Sequence, residues 1–133
     1  MHINEVAKLY VESNLNKMQT MEIPFSRFDY YVTYPIPNKM PGIYFIYRID
    51  GSLAYIGETK SCIKTRIGRH KRSINNPNWN GEKSGIKFHK AGIQDEEFVL
   101  KYIPAADLGL STKHNLLAAE GLFVEYLQPI VYE

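Results

Sequence analysis

The sequence predicts a small α/β (α+β) fold, and three observations predict it. Residues 41–57 carry a complete β-hairpin signature, residues 98–103 form a further apolar strand, and residues 3–18, 59–74 and 111–128 place apolar side chains at helical spacing. A chain of 133 residues has room for one substantial core. With 44% apolar residues and ten tyrosines it belongs with folded globules whose aromatics carry polar tips, not with disordered chains.

The hairpin is the strongest element. Two apolar, β-branched or aromatic runs, residues 43–49 and 53–56, are separated by Asp50-Gly51, a dipeptide suited to the positive φ angles of a type I′ turn. A two-residue loop pairs Ile49 with Ser52, Ile46 with Tyr55 and Tyr44 with Gly57, so Tyr44, Ile46 and Tyr55 share one face. Tyr44 and Tyr55 are then diagonal neighbours, roughly 7–8 Å apart at the backbone. A loop one residue shorter or longer places them on opposite faces.

Before the hairpin, Ile3, Val6, Ala7, Tyr10, Leu15 and Met18 mark an amphipathic helix. Residues 22–41 hold four of the seven prolines and the run Asp29-Tyr30-Tyr31-Val32-Thr33-Tyr34, expected to be a short edge strand and an extended lead-in. After it, Thr59 or Ser61 is available to cap a helix running to about Ile74. Ile63, Ile67 and Ile74 form its buried stripe, His70 falls inside that stripe, and Arg66 lies on its edge. On pattern alone His70 reads equally as a core histidine or a functional group, and Arg66 as a solvated charge.

Residues 75–84 read as an Asn-rich loop, residues 85–90 as a helical turn ending at Gly92. The last helix runs from a cap at Ser111 to about Gln128, with a stripe of Leu116, Leu117, Phe123, Val124 and Leu127. Glu120 stands within that stripe. Burying an unpaired carboxylate costs several kcal/mol or raises its pKa, so a cation is expected to face it: Arg66 or another base, or a divalent metal.

Charge and cysteine usage bound the function. The net charge is only +2, yet Lys60, Lys64, Arg66, Arg69, Lys71 and Arg72 face one acid between positions 58 and 72, a focused basic patch. One cysteine, Cys62, excludes an internal disulfide and a cysteine-based zinc cage and fits a reducing compartment. The first residues hold no apolar signal core and no run approaches the roughly 18 residues of a membrane span, so the expected setting is cytoplasmic with no membrane partner.

Gly42-Ile43-Tyr44, Tyr55-Ile56-Gly57, Arg66 with His70, and Glu120 followed by Pro129 together resemble the GIY-YIG endonuclease family over about residues 41–133, leaving residues 1–40 as an amino-terminal extension. The resemblance implies a three-stranded antiparallel sheet flanked by helices and metal-dependent hydrolysis of DNA phosphodiesters. Tyr44 then matches the tyrosine that activates or orients the attacking water, Tyr55 its partner at the scissile phosphate, Arg66 the arginine that stabilises the pentacovalent phosphate, His70 a proton-transfer histidine, and Glu120 the single metal ligand. Mg²⁺ (or Mn²⁺) is the metal expected of one carboxylate without a cysteine or histidine cluster.

Two positions depart from the family pattern: Tyr132 replaces a frequent asparagine, and Glu58 replaces a lysine of several members, which leaves Lys60 as the cation of that turn. Lys60, Lys64, Arg69, Lys71 and Arg72 are expected on DNA phosphates and Trp79 on a base or in local packing. The expected substrate is double-stranded DNA. No added reader domain is evident, so specificity falls to the loops, the amino-terminal segment, a homodimer or an accessory protein. The alternative is a catalytically weak or inactive nucleic-acid-binding module that retains the fold, and Tyr132 supports it.

Overall fold

The hairpin arrives at the expected register by an unexpected route. In the computed structural model, which describes residues 3–18, 23–26, 36–37, 39–77 and 83–131, β2 (Gly42–Arg48) and β3 (Leu53–Thr59) are antiparallel, with Tyr44 opposite Gly57 and Ile46 opposite Tyr55. Ile49 does not pair with Ser52. The loop is three residues, Ile49-Asp50-Gly51, closed by Arg48 N–H to Ser52 O at 2.8 Å and Gly51 N–H to Arg48 O at 3.0 Å. Gly51 takes φ 91°, where a side chain would be strained, and the Asp50 carboxylate accepts from the Ser52 amide at 2.8 Å and hydroxyl at 2.6 Å.

That extra loop residue would have reversed the faces, but the register shifts by one between Ile46 and Tyr47. Tyr47 faces Leu53 and Ile46 faces Tyr55, so Ala54 is a β-bulge. As a bulge requires, the sequence neighbours Ala54 and Tyr55 both enter the same core. Loop and bulge offset each other, and the two tyrosines share a face after all.

Among the described residues the sheet has four strands, not three. Its order is β1-β4-β2-β3, antiparallel throughout, with β1 at Ile23–Ser26 and β4 at Glu97–Pro104. The edge strand expected at 29–34 lies outside the described residues; among the described residues β1 stands at this edge, and Pro24 is tolerated there because an edge strand leaves one row of amides unpaired. The other edge, β3, receives Ile130 N–H on Leu53 O at 3.0 Å and Val131 N–H on Ala54 O at 2.7 Å.

Each face buries its own core. Tyr44, Ile46 and Tyr55 lie on one face, under Ile63, Ile67 and Ile74 of α2 (Ile63–Asn75) and Phe88 of α3 (Ser84–Lys90). Ile43, Phe45 and Ile56 lie on the other, under Leu116, Ala119 and Phe123 of α4 (Lys113–Leu127) and Val11 of α1 (Ile3–Asn14). Among the described residues no helix is long and apolar enough to cross a membrane.

Two helix readings are corrected. Helix α4 starts one residue later than expected, capped by Thr112, whose side chain accepts from Asn115 N–H, and its buried line is Leu116, Ala119 and Phe123, while Leu117 is exposed. Residues 116, 119 and 123 follow i, i+3, i+7 spacing, and Leu117 lies about 100° round the helix from that line. Glu120 is consequently half-buried beside the line instead of within it. Helix α2 begins after Cys62 with no side-chain cap; Thr59 Oγ1 instead accepts from Ser61 N–H and Cys62 N–H at 3.2 and 3.3 Å in the turn before it.

Candidate active site

Tyr44 owes its position to a missing side chain. A Cβ on Gly57, its partner across the ladder, would stand 2.2 Å from the Tyr44 hydroxyl oxygen, so the phenol lies flat across that glycine. From there Tyr44 Oη reaches His70 Nε2 at 2.6 Å, and His70 Nδ1 meets Ser84 Oγ at 2.6 Å. The Tyr55 ring packs edge-on against the His70 ring at 5.0 Å and tilted by 33° against the Tyr44 ring at 6.3 Å. Tyr44, His70 and Ser84 are fully buried and Tyr55 nearly so. β2, β3, α2 and α3 each supply one member of this cluster.

Burial first, then the Arg66 and Arg69 charges, lower the His70 pKa to about 3. The ring is therefore neutral at pH 7, with one N–H and one lone pair to share between its two partners. The folded protein refuses a proton that the unfolded chain accepts below pH 6.5, so this contribution to stability is complete above that pH and drains away as the pH falls toward 3. The slope approaches about 1.4 kcal/mol per pH unit. Urea unfolding at pH 7 and pH 4.5 should show the wild type losing about 2 kcal/mol more than His70→Gln; equal losses would mean that the folded imidazole titrates normally.

Arg66, half-buried on α2, precedes His70 by one helical turn, and its charge acts on the ring. Lys60 and Arg72 are exposed, and Lys64 and Arg69 half-buried. Lys71 departs from its expected place on the outer surface: it is 4% exposed, one position past His70 and four past Ile67, so it falls inside the buried arc. Trp79 and Tyr132 lie outside the described residues. Glu58 points to the α4 side, where its buried carboxylate pairs with Lys113, so this departure from the family pattern belongs to the face away from the tyrosines.

Glu120 is not in this cluster. It stands on α4, which packs on the opposite face of the sheet and mainly along β3, the strand that carries Tyr55. Among the described residues no group of three or more His, Cys, Asp or Glu is arranged to hold a metal ion. One half-buried carboxylate fits a hard ion that keeps most of its waters, as Mg²⁺ does, and does not fit zinc.

Sequence reasoning missed Ser84. It closes a stretch that reads as a connecting loop, and its fourteen-residue separation from His70 follows no helical or strand period. The only local signal is its place before Gly85, a residue whose Cβ would stand 1.9 Å from Ser73 O on α2.

Residues 40–103 match the family model of the GIY-YIG catalytic domain. The match contains Tyr44, Tyr55, Arg66, His70 and Ser84 and stops before α4 and Glu120. No curated protein and no solved structure matches the chain. With both motif tyrosines on one face against His70, residues 40–103 carry the match to the GIY-YIG catalytic domain, the domain of a family that generally comprises endonucleases.

Proposed function

We propose that this chain is a divalent-metal-dependent endonuclease acting on double-stranded DNA, with Tyr44, Tyr55, Arg66, His70 and Glu120 as its reacting groups. The observation that carries this reading is the 2.6 Å contact between Tyr44 Oη and His70 Nε2, with the Tyr55 ring packed on the same imidazole. A phenol of pKa about 10 is a weak base at pH 7, and an adjacent neutral imidazole gives its proton a destination. Tyr44 orients and deprotonates the attacking water while passing its own proton to His70. Arg66 neutralises the charge that develops on the phosphate oxygens, and Tyr55 contacts the scissile phosphate.

Arg66 and Arg69 also suit a base that strengthens when substrate arrives. Their charges are part of what keeps His70 unprotonated, and a phosphate laid on them cancels part of that field. Lys60, Lys64, Arg69 and Arg72 hold the DNA backbone; Lys71, being buried, leaves that set. Glu120 would hold Mg²⁺ (or Mn²⁺), which would supply further neutralisation of the phosphate charge. We place the protein in the cytoplasm on its single cysteine, and assign sequence choice to a second subunit or an accessory protein.

The full burial of Tyr44 and His70 favours one other reading, a catalytically weak nucleic-acid-binding module that keeps the fold. Plasmid DNA incubated with the protein and Mg²⁺ or Mn²⁺ separates the two. The wild type should nick or cut, and Glu120→Ala should lower the rate by roughly 10²-fold or more while DNA binding survives. Binding by the wild type with no cleavage in either metal would favour the module.

A further inference from the structure

Ser84 has no part in the chemistry above, yet it is the residue that meets the far nitrogen of His70. Its placement is rigid. Gly85 N–H donates to Ser73 Oγ at 2.8 Å, and the absent Cβ of Gly85 lets the first turn of α3 lie against the α2 backbone. One turn on, His89 Nε2 donates to Ile74 O at 2.8 Å. The two helices that carry Ser84 and His70 are thus clamped at both ends of α3, and Ser84 Oγ is fixed relative to the imidazole.

A neutral imidazole can donate from one nitrogen only. A phenol is a far stronger hydrogen-bond donor than an aliphatic alcohol, and the alcohol oxygen is the better acceptor. These strengths favour one direction: Tyr44 O–H donates to Nε2, and Nδ1–H donates to Ser84 Oγ. With the ring fully buried, an unpaired Nδ1–H is costly, so removing Ser84 Oγ removes the advantage of that tautomer.

We propose that Ser84 is a positioning residue that keeps His70 in its Nδ1–H tautomer and so presents the Nε2 lone pair to Tyr44. Its catalytic consequence rests on the endonuclease reading; the tautomer itself does not. Nitrogen-15 NMR of the wild type at pH 7 should show His70 Nδ1 protonated and Nε2 not. The Nε2–H tautomer, or a doubly protonated ring, would overturn the proposal, and this measurement needs no variant.

Ser84→Ala should shift the ring toward a mixed or reversed tautomer. It should lower kcat for DNA cleavage roughly 10-fold or more, out of the 10²–10⁴ that positioned proton transfer supplies, with KM and DNA affinity unchanged. Ser84→Thr, which keeps a hydroxyl, should restore the wild-type nitrogen shifts. A folded Ser84→Ala with unchanged shifts and unchanged kcat would refute the assignment. If the wild type does not cleave DNA at all, the endonuclease reading falls while the nitrogen shifts still decide the role of Ser84.

Discussion

Tyr44→Phe should yield a folded protein that binds DNA as the wild type does and cleaves it at least roughly 10²-fold more slowly. Phenylalanine keeps the ring that packs between Gly57, Tyr55 and His70, so the core loses almost no volume. Only the hydroxyl goes, and with it the hydrogen bond to His70 Nε2. The buried nitrogen left without its donor should lower stability by about 1–3 kcal/mol. The distinguishing pattern is a large loss in cleavage beside a modest loss in unfolding free energy and none in DNA affinity. Cleavage within about twofold of wild type would show that proton transfer does not pass through this phenol.

Gly57→Ala should be as damaging to cleavage and more damaging to the fold. The new methyl carbon would stand 2.2 Å from Tyr44 Oη, 2.3 Å from Cζ and 2.6 Å from Cε2, well inside van der Waals contact. Tyr44 is fully buried, with the His70 ring centre 5.5 Å away, so the phenol has nowhere to go without leaving Nε2. Overpacking of a filled core costs about 1–3 kcal/mol, and loss of the buried hydrogen bond adds to it. Thermal unfolding and plasmid cleavage measured together are the check. A Gly57→Ala protein with wild-type melting temperature and wild-type cleavage would mean that Tyr44 does not cross this glycine. The last residue of Tyr55-Ile56-Gly57 is thus required by the last residue of Gly42-Ile43-Tyr44, its direct partner across the ladder.

Sequence periodicity carried the strand faces but not the manner in which they are achieved. Asp50-Gly51 signalled a turn correctly, yet a dipeptide cannot announce whether the residue before it joins the loop, and Ala54 has nothing in its composition that marks a bulge. Tyr44 and Tyr55 came out on one face because two one-residue departures cancel. The α2 stripe located Ile63, Ile67, His70 and Ile74 because burial on a helix follows 3.6-residue spacing. The same spacing admits Lys71 to the buried arc, which hydropathy alone would reject. On α4, Leu117 looked apolar enough for the core, but Ala119 is the residue that a close helix-to-sheet contact accommodates. Ser84 was invisible for a different reason: contacts between a helix and the segment that follows a loop obey no period, and only coordinates reveal them.

The tail after α4 has a consequence for self-association. Ile130 and Val131 occupy the outer carbonyls of Leu53 and Ala54, so the first part of this edge already has a partner within the chain. A strand from a second molecule would have to displace that tail before pairing with Leu53 and Ala54.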